Sequence, residues 1–218
     1  IQAYLTYLGN ASLSEKAEEV SLDYFATLDK NNLKERKYWD IFVKYINYVD
    51  SDLFQYVYEH RDEFYSIYGE RDVKRKIQNV WGGGANRFVN KEGDQMVLDK
   101  KGFKRYVKRM EKANVDGWED IASGAEMMNA EKLGDWKTYI ALGTERIKQG
   151  KVSDLLLYNW GLRVNKQCKD KALRLLAAQW FDEAVVNAAK NEAKGKGNMM
   201  SYRTFFEKLA KDLKADVQ

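Results

Sequence analysis

Along this chain of 218 residues, apolar positions recur every three or four residues almost from end to end. That spacing puts them on one face of an α-helix. Residues 1–9 read as the tail of a helix. Ser12 followed by Glu15 forms the capping-box pattern for a helix over about 13–28, with Val20, Tyr24 and Leu28 on its stripe. In the run RKYWDIFVKYINYV, Trp39, Phe42, Val43 and Ile46 share a face. The next segment runs helically to Gly69 with a break near His60, and glycine is the usual residue just past a helix end. The stripe Val73, Ile77, Val80, Trp81, Gly84, Phe88 then passes straight through three consecutive glycines, Gly82 to Gly84.

The segment NKEGDQ at 90–95 reads as a loop and as the best candidate for an internal boundary. Beyond it, Asp99 is placed to cap a helix, and Leu98 and Phe103 to staple its start. Further helices are predicted over about 118–132, 135–149, 153–167, 170–193 and 200–214, with Asp135 and Ser153 as N-caps and a second loop at 194–198. No strand pattern of any length is visible. The expected fold is all-α, about ten helices forming a tetratricopeptide-like α-α superhelix or an irregular multi-helix array. Residues 1–218 read as one helical-repeat domain, with a subdivision near 90–98. Helix pairs span roughly 35–45 residues, the range of such repeats, but the tetratricopeptide consensus is not met.

Composition supports this picture and narrows it. Apolar residues make up 44% and charged residues 32%, a balance that supports a core and a solvated exterior. Proline is absent, where average usage would give roughly ten, so nothing interrupts long helices. The net charge of +4 is small for a dedicated nucleic-acid binder, and none is expected as a partner. One cysteine, Cys168, precludes an internal disulfide. No run approaches the length of a membrane span. The opening IQAYLTYLGN has neither the charged start nor the apolar core of a signal peptide.

Little in the chain carries chemistry by motif. The glycine run lacks the P-loop and dinucleotide-turn patterns, so its expected role is close packing or a kink at Gly84. His60-Arg61-Asp62 matches part of a kinase catalytic loop without the rest of that signature. His60 is the only histidine, too few for a histidine zinc site. A nucleophile–base pair of Cys168 and His60 has no motif support, although the lysines beside Cys168 would favour its thiolate. Glu18-Glu19 and Glu119-Asp120 fall in early helical turns and suit the macrodipole. No catalytic residue, cofactor or metal is expected.

The segment DKKGFKRYVKRMEK at 99–112 is more informative. Phe103, Tyr106, Val107 and Met110 make an apolar face, and Lys100, Lys101, Lys104, Arg105, Lys108, Arg109 and Lys112 cover much of the rest. A basic amphipathic helix contacts an anionic membrane or an acidic partner, or simply packs one face and solvates the other. Tyr56, Tyr58 and Tyr65 are candidates for exposed aromatic anchors in a peptide groove. The expected partner contacts are therefore Lys104, Arg105, Lys108, Arg109, Tyr56 and Tyr58.

Two segments resemble a known family. Trp39, Asp50-Ser51, Leu53-Phe54, Arg61 to Phe64 and Tyr68-Gly69, within 38–77, resemble the helical region that follows a thioredoxin-like domain in some bacterial envelope proteins. The run DLLLYNWGLRVNKQCKDKALRLLAAQWFDEAV at 154–185 resembles a later part of the same region. The resemblance implies a tetratricopeptide-like C-terminal module of a periplasmic or envelope protein, accessory to a thioredoxin-like domain of the same polypeptide. In that family the redox centre is a Cys-x-x-Cys pair in the upstream domain. This chain has no such pair, so the resemblance implies a non-catalytic binding or scaffold module that contacts protein or peptide.

Overall fold

The computed structural model describes residues 1–150, 152–193 and 202–215, with the backbone alone for 190–193. The loop expected at 194–198 lies outside the described residues. The described chain is an all-α array of twelve α-helices, one 3-10 helix and a single two-stranded hairpin. It divides into two compact units, residues 1–125 and 126–218.

The first unit begins with α1 (Gln2–Asn10), α2 (Ser14–Ala26), a 3-10 turn (Lys30–Lys34) and α3 (Arg36–Tyr45). It continues with α4 (Asp52–Glu59), α5 (Arg61–Tyr68) and α6 (Glu70–Ala85). The hairpin of β1 (Val89–Glu92) and β2 (Gln95–Leu98), then α7 (Lys100–Lys112), lead to α8 (Trp118–Leu133), which carries the division between Ala125 and Glu126. The second unit holds α9 (Trp136–Lys148), α10 (Asp154–Gln167), α11 (Lys171–Ala193) and α12 (Arg203–Ala215).

Local chemistry explains most boundaries. Ser51, Asp99, Asp135 and Ser153 each accept a hydrogen bond from a backbone N–H in the first turn of α4, α7, α9 and α10, satisfying donors that a helix cannot satisfy internally. Gly69, at φ 90°, ends α5 and starts α6. The helix pair over 52–68 breaks at His60, as expected.

Three local expectations are corrected. Ser12 does not cap α2. It sits in the left-handed region, φ 58°, where its N–H bonds to Gly9 and the next N–H, of Leu13, bonds to Leu8. That is a Schellman closure of α1, and it takes Ser12 away from the following helix. Val43 is 40% exposed, so the buried face of α3 comprises Trp39, Ile41, Phe42 and Tyr45. Residues 90–98 are no boundary but part of the hairpin inside the first unit, with Val89 opposite Leu98 and Glu92 opposite Gln95. The Phe103 ring packs edge-on against Phe88, 5.8 Å between centroids.

Each unit has its own core. In the first, Trp39 stacks on Phe42, Phe64 and Tyr68, the last at 4.4 Å and 5°, joining α3 to α5. Offset aromatic stacking adds to the area term of such a cluster. In the second, Leu157, Trp160, Val164, Phe181, Phe206 and Leu213 gather α10, α11 and α12 around one centre.

Candidate functional site

The glycine run occupies the last turn of α6, not its middle, because the helix ends at Ala85. Phe88 therefore lies beyond the helix whose stripe it seemed to extend. The C-terminal end of a helix carries partial negative charge, so this is the wrong pole for a phosphate. The N–H groups of Asn86 and Arg87 turn back to the carbonyls of Gly83 and Gly84. Gly84 admits a neighbouring side chain: a Cβ there would fall 2.8 Å from Tyr106 Cζ and closer still to its hydroxyl. That hydroxyl donates to the Trp81 carbonyl at 2.9 Å, near the end of α6. Burial pushes the Tyr106 phenol well above its ordinary value.

This contact orients α7. Phe103, Tyr106, Val107 and Met110 face the unit's interior, Met110 fully buried, while Lys100, Lys101, Lys104, Arg105, Lys108 and Lys112 are exposed. Arg109 differs from its neighbours. It pairs with Asp50 and lies 5.4 Å over the Trp81 ring, a contact that holds α7 against its own unit. Arg109→Ala is expected to cost about 1 kcal/mol, from a half-exposed ion pair and a cation–π contact. Chemical denaturation of the variant checks it, and an unchanged midpoint would remove Arg109 from this structural role. Immediately before α7, β2 leaves Met96 and Val97 exposed at 43% and 36%.

The tyrosines are not free anchors. Tyr58 donates to the Ala113 carbonyl at 2.6 Å and packs edge-on against Trp81, so its hydroxyl and ring serve the first unit. Tyr56 is half-buried, edge-on to Phe64 and beneath the Lys30 ammonium at 5.4 Å. Tyr65 is likewise half-buried, and burial raises its phenol. Of the six expected contact residues, the structure leaves Lys104, Arg105 and Lys108 together on one exposed helix, and gives Arg109, Tyr56 and Tyr58 intramolecular roles.

His60 and Cys168 belong to different compact units. His60 Nδ1 lies 2.8 Å from the Tyr56 carbonyl. Cys168 is buried, and burial raises its thiol pKa rather than lowering it. The neighbouring Lys169 and Lys171 point into solvent and do not activate it. Among the described residues no group of His, Cys, Asp and Glu is arranged to hold a metal, and no helix is long and apolar enough to cross a membrane.

One group escaped sequence reading. Lys76 is 5% exposed, on the buried face of α6 between Val73 and Ile77. Its Nζ donates to the Ile46 carbonyl at the end of α3 and to Asn47 Oδ1 at 3.2 Å, and lies 5.5 Å over the Phe42 ring. Desolvation lowers its pKa to about 8, with Glu18 opposing. Lys76 lines a cleft of about 220 Å³ between α3, α5 and α6, with Arg36, Trp39, Asp40, Tyr68, Asp72 and Arg75 around it. The available signal was a lysine at a stripe position, three residues after Val73 and four before Val80. Comparison of the chain with protein-family models, with curated proteins and with solved structures finds no match.

Proposed function

We propose that this chain is a non-catalytic protein-binding module whose contact face is the basic side of α7, and that its partner presents an acidic segment. The observation that carries this reading is how α7 divides its residues. Its apolar stripe is consumed in packing, and six exposed cations remain with Glu111 the only acid on the helix. Closely spaced like charges repel one another and are relieved by an acidic partner, which they also steer into place. Membrane association is less well served. An interfacial helix buries its apolar face in lipid, and here that face is already occupied. The accessory role implied by the resemblance would use the same face, with a thioredoxin-like domain of the same polypeptide as the partner.

The test is titration of the full chain with a fluorescent Glu-rich peptide. The triple variant Lys104→Glu, Arg105→Glu, Lys108→Glu should weaken binding by about tenfold or more, and wild-type affinity should fall steeply with salt. Equal binding by the variant would overturn the proposal. Preference for anionic vesicles over the peptide would move the reading to a lipid surface, and robust insulin reduction would end the non-catalytic reading.

A further inference from the structure

The cleft beside α6 points to a chemistry separate from the α7 face. We propose that Lys76 is a covalent capture site for small aldehydes that carry a carboxylate. Three features of the cleft support this.

The first is the amine's environment. Among the described residues no carboxylate lies within ion-pair distance of Lys76 Nζ. Its hydrogen-bond partners are two neutral oxygens, those of Ile46 and Asn47. An ammonium has three N–H groups and a neutral amine has two. The neutral form therefore serves both acceptors and removes a buried charge that no carboxylate pairs with. Desolvated lysines of this kind are the ones that form Schiff bases. The lowered pKa, about 8, agrees with that geometry.

The second feature is access. Lys76 lines a cleft of about 220 Å³, room for a compound of a few carbons. The third is charge. Arg36 and Arg75 stand at the rim, 75% and 65% exposed by side chain, paired with Asp40 at 2.8 Å and Asp72 at 3.0 Å. Once Lys76 is neutral, Arg36 and Arg75 are balanced by Asp40 and Asp72, and a ligand carboxylate is met by these two exposed guanidinium groups. The charged and titratable groups around Lys76 are Glu18 from α2, Arg36 and Asp40 from α3, Tyr68 from α5, and Asp72 and Arg75 from α6.

The reaction balances without an oxidant. The Nζ lone pair attacks the aldehyde carbon, a C–N bond forms, and a proton passes from nitrogen to the former carbonyl oxygen. Loss of one water gives the imine. Once protonated, the imine keeps one N–H for the buried Ile46 carbonyl, and Asn47, itself exposed, turns its amide oxygen to water.

The experiment uses the full chain with glyoxylate and cyanoborohydride at neutral pH, followed by peptide mass mapping. Lys76 should carry the carboxymethyl adduct at least about tenfold over exposed Lys104, with a rate that reaches half its maximum near pH 8. Glu18→Gln should accelerate labelling at pH 7 by removing a charge that favours the ammonium. Arg75→Gln should slow glyoxylate but not acetaldehyde. Lys76→Arg keeps a cation and donors for both oxygens and should lose the dominant adduct while staying folded. Adducts spread over surface lysines with Lys76 unlabelled would overturn the proposal, as would a Lys76 rate indifferent to Glu18→Gln. Equal rates for glyoxylate and acetaldehyde would overturn the carboxylate specificity. None of these readouts requires a partner on α7, so failure here leaves the binding proposal standing.

Discussion

Gly161→Leu is expected to destabilise the second compact unit by about 3 kcal/mol or more. At Gly161, the Phe181 ring of α11 and the Leu209 side chain of α12 pack directly onto the α10 backbone. A Cβ at this position would fall 2.6 Å from Phe181 Cε2, and closer still to Phe181 Cζ and Leu209 Cδ2. Phe181 is fully buried and Leu209 is 3% exposed, so neither has solvent to move into. Close-packed interiors transmit such an intrusion rather than absorb it. Even alanine, which gains about 1 kcal/mol over glycine in an open helix, should be a net loss here. Urea unfolding followed through Trp160 and Trp180 measures it. A Gly161→Ala protein as stable as the parent would show that the helices separate at little cost.

Gly84→Leu should cost about 2–3 kcal/mol, by the same intrusion and by a lost hydrogen bond. The added side chain displaces the Tyr106 hydroxyl from the Trp81 carbonyl, so a half-buried phenol loses its acceptor beside a fully buried indole. Tyr106→Phe supplies a discriminating control. Without the hydroxyl, the atom nearest the new Cβ is gone, so alanine at Gly84 should be less damaging in that background than in the parent. A double-mutant cycle reads this as a coupling energy. Additive effects would mean that Gly84 and Tyr106 do not share a contact.

The glycine run shows how far sequence reading reaches at one place. Its helical setting and the close approach at Gly84 follow from the stripe through Val80 and Trp81. The end of the helix at Ala85 does not, because Phe88 falls on the extrapolated stripe and only the hairpin that follows takes it away. The hairpin itself carries a short-range signal, Gly93-Asp94 between two four-residue strands, with Gly93 at φ 61°. Gly-Asp is a recognised two-residue turn. The signal was faint because Asn90, Lys91 and Glu92 are exposed, which leaves β1 without the alternation that marks a half-buried strand.

The candidate sites divide along the same line. The basic face of α7 is legible because its apolar and charged residues alternate at helical spacing within one element. The demotion of Arg109 and Tyr58 is not legible, since Asp50 lies 59 positions from Arg109 and Ala113 lies 55 from Tyr58.

What the sequence determines by itself is local: the all-α class, most of the helices, the N-caps at Asp99, Asp135 and Ser153, the stop at Gly69, and the two-faced character of α7. These follow from bonds and periodicities that span a few residues. Tertiary structure alone decides the division at Ala125, the use of Ser12 to close α1, the burial of Cys168, and the placement of Lys76 between the end of α3 and a cleft. Each of those depends on which distant side chains meet and how far water is excluded, because a lysine's charge, a tyrosine's hydroxyl and a glycine's missing Cβ acquire their consequences only from the groups packed against them.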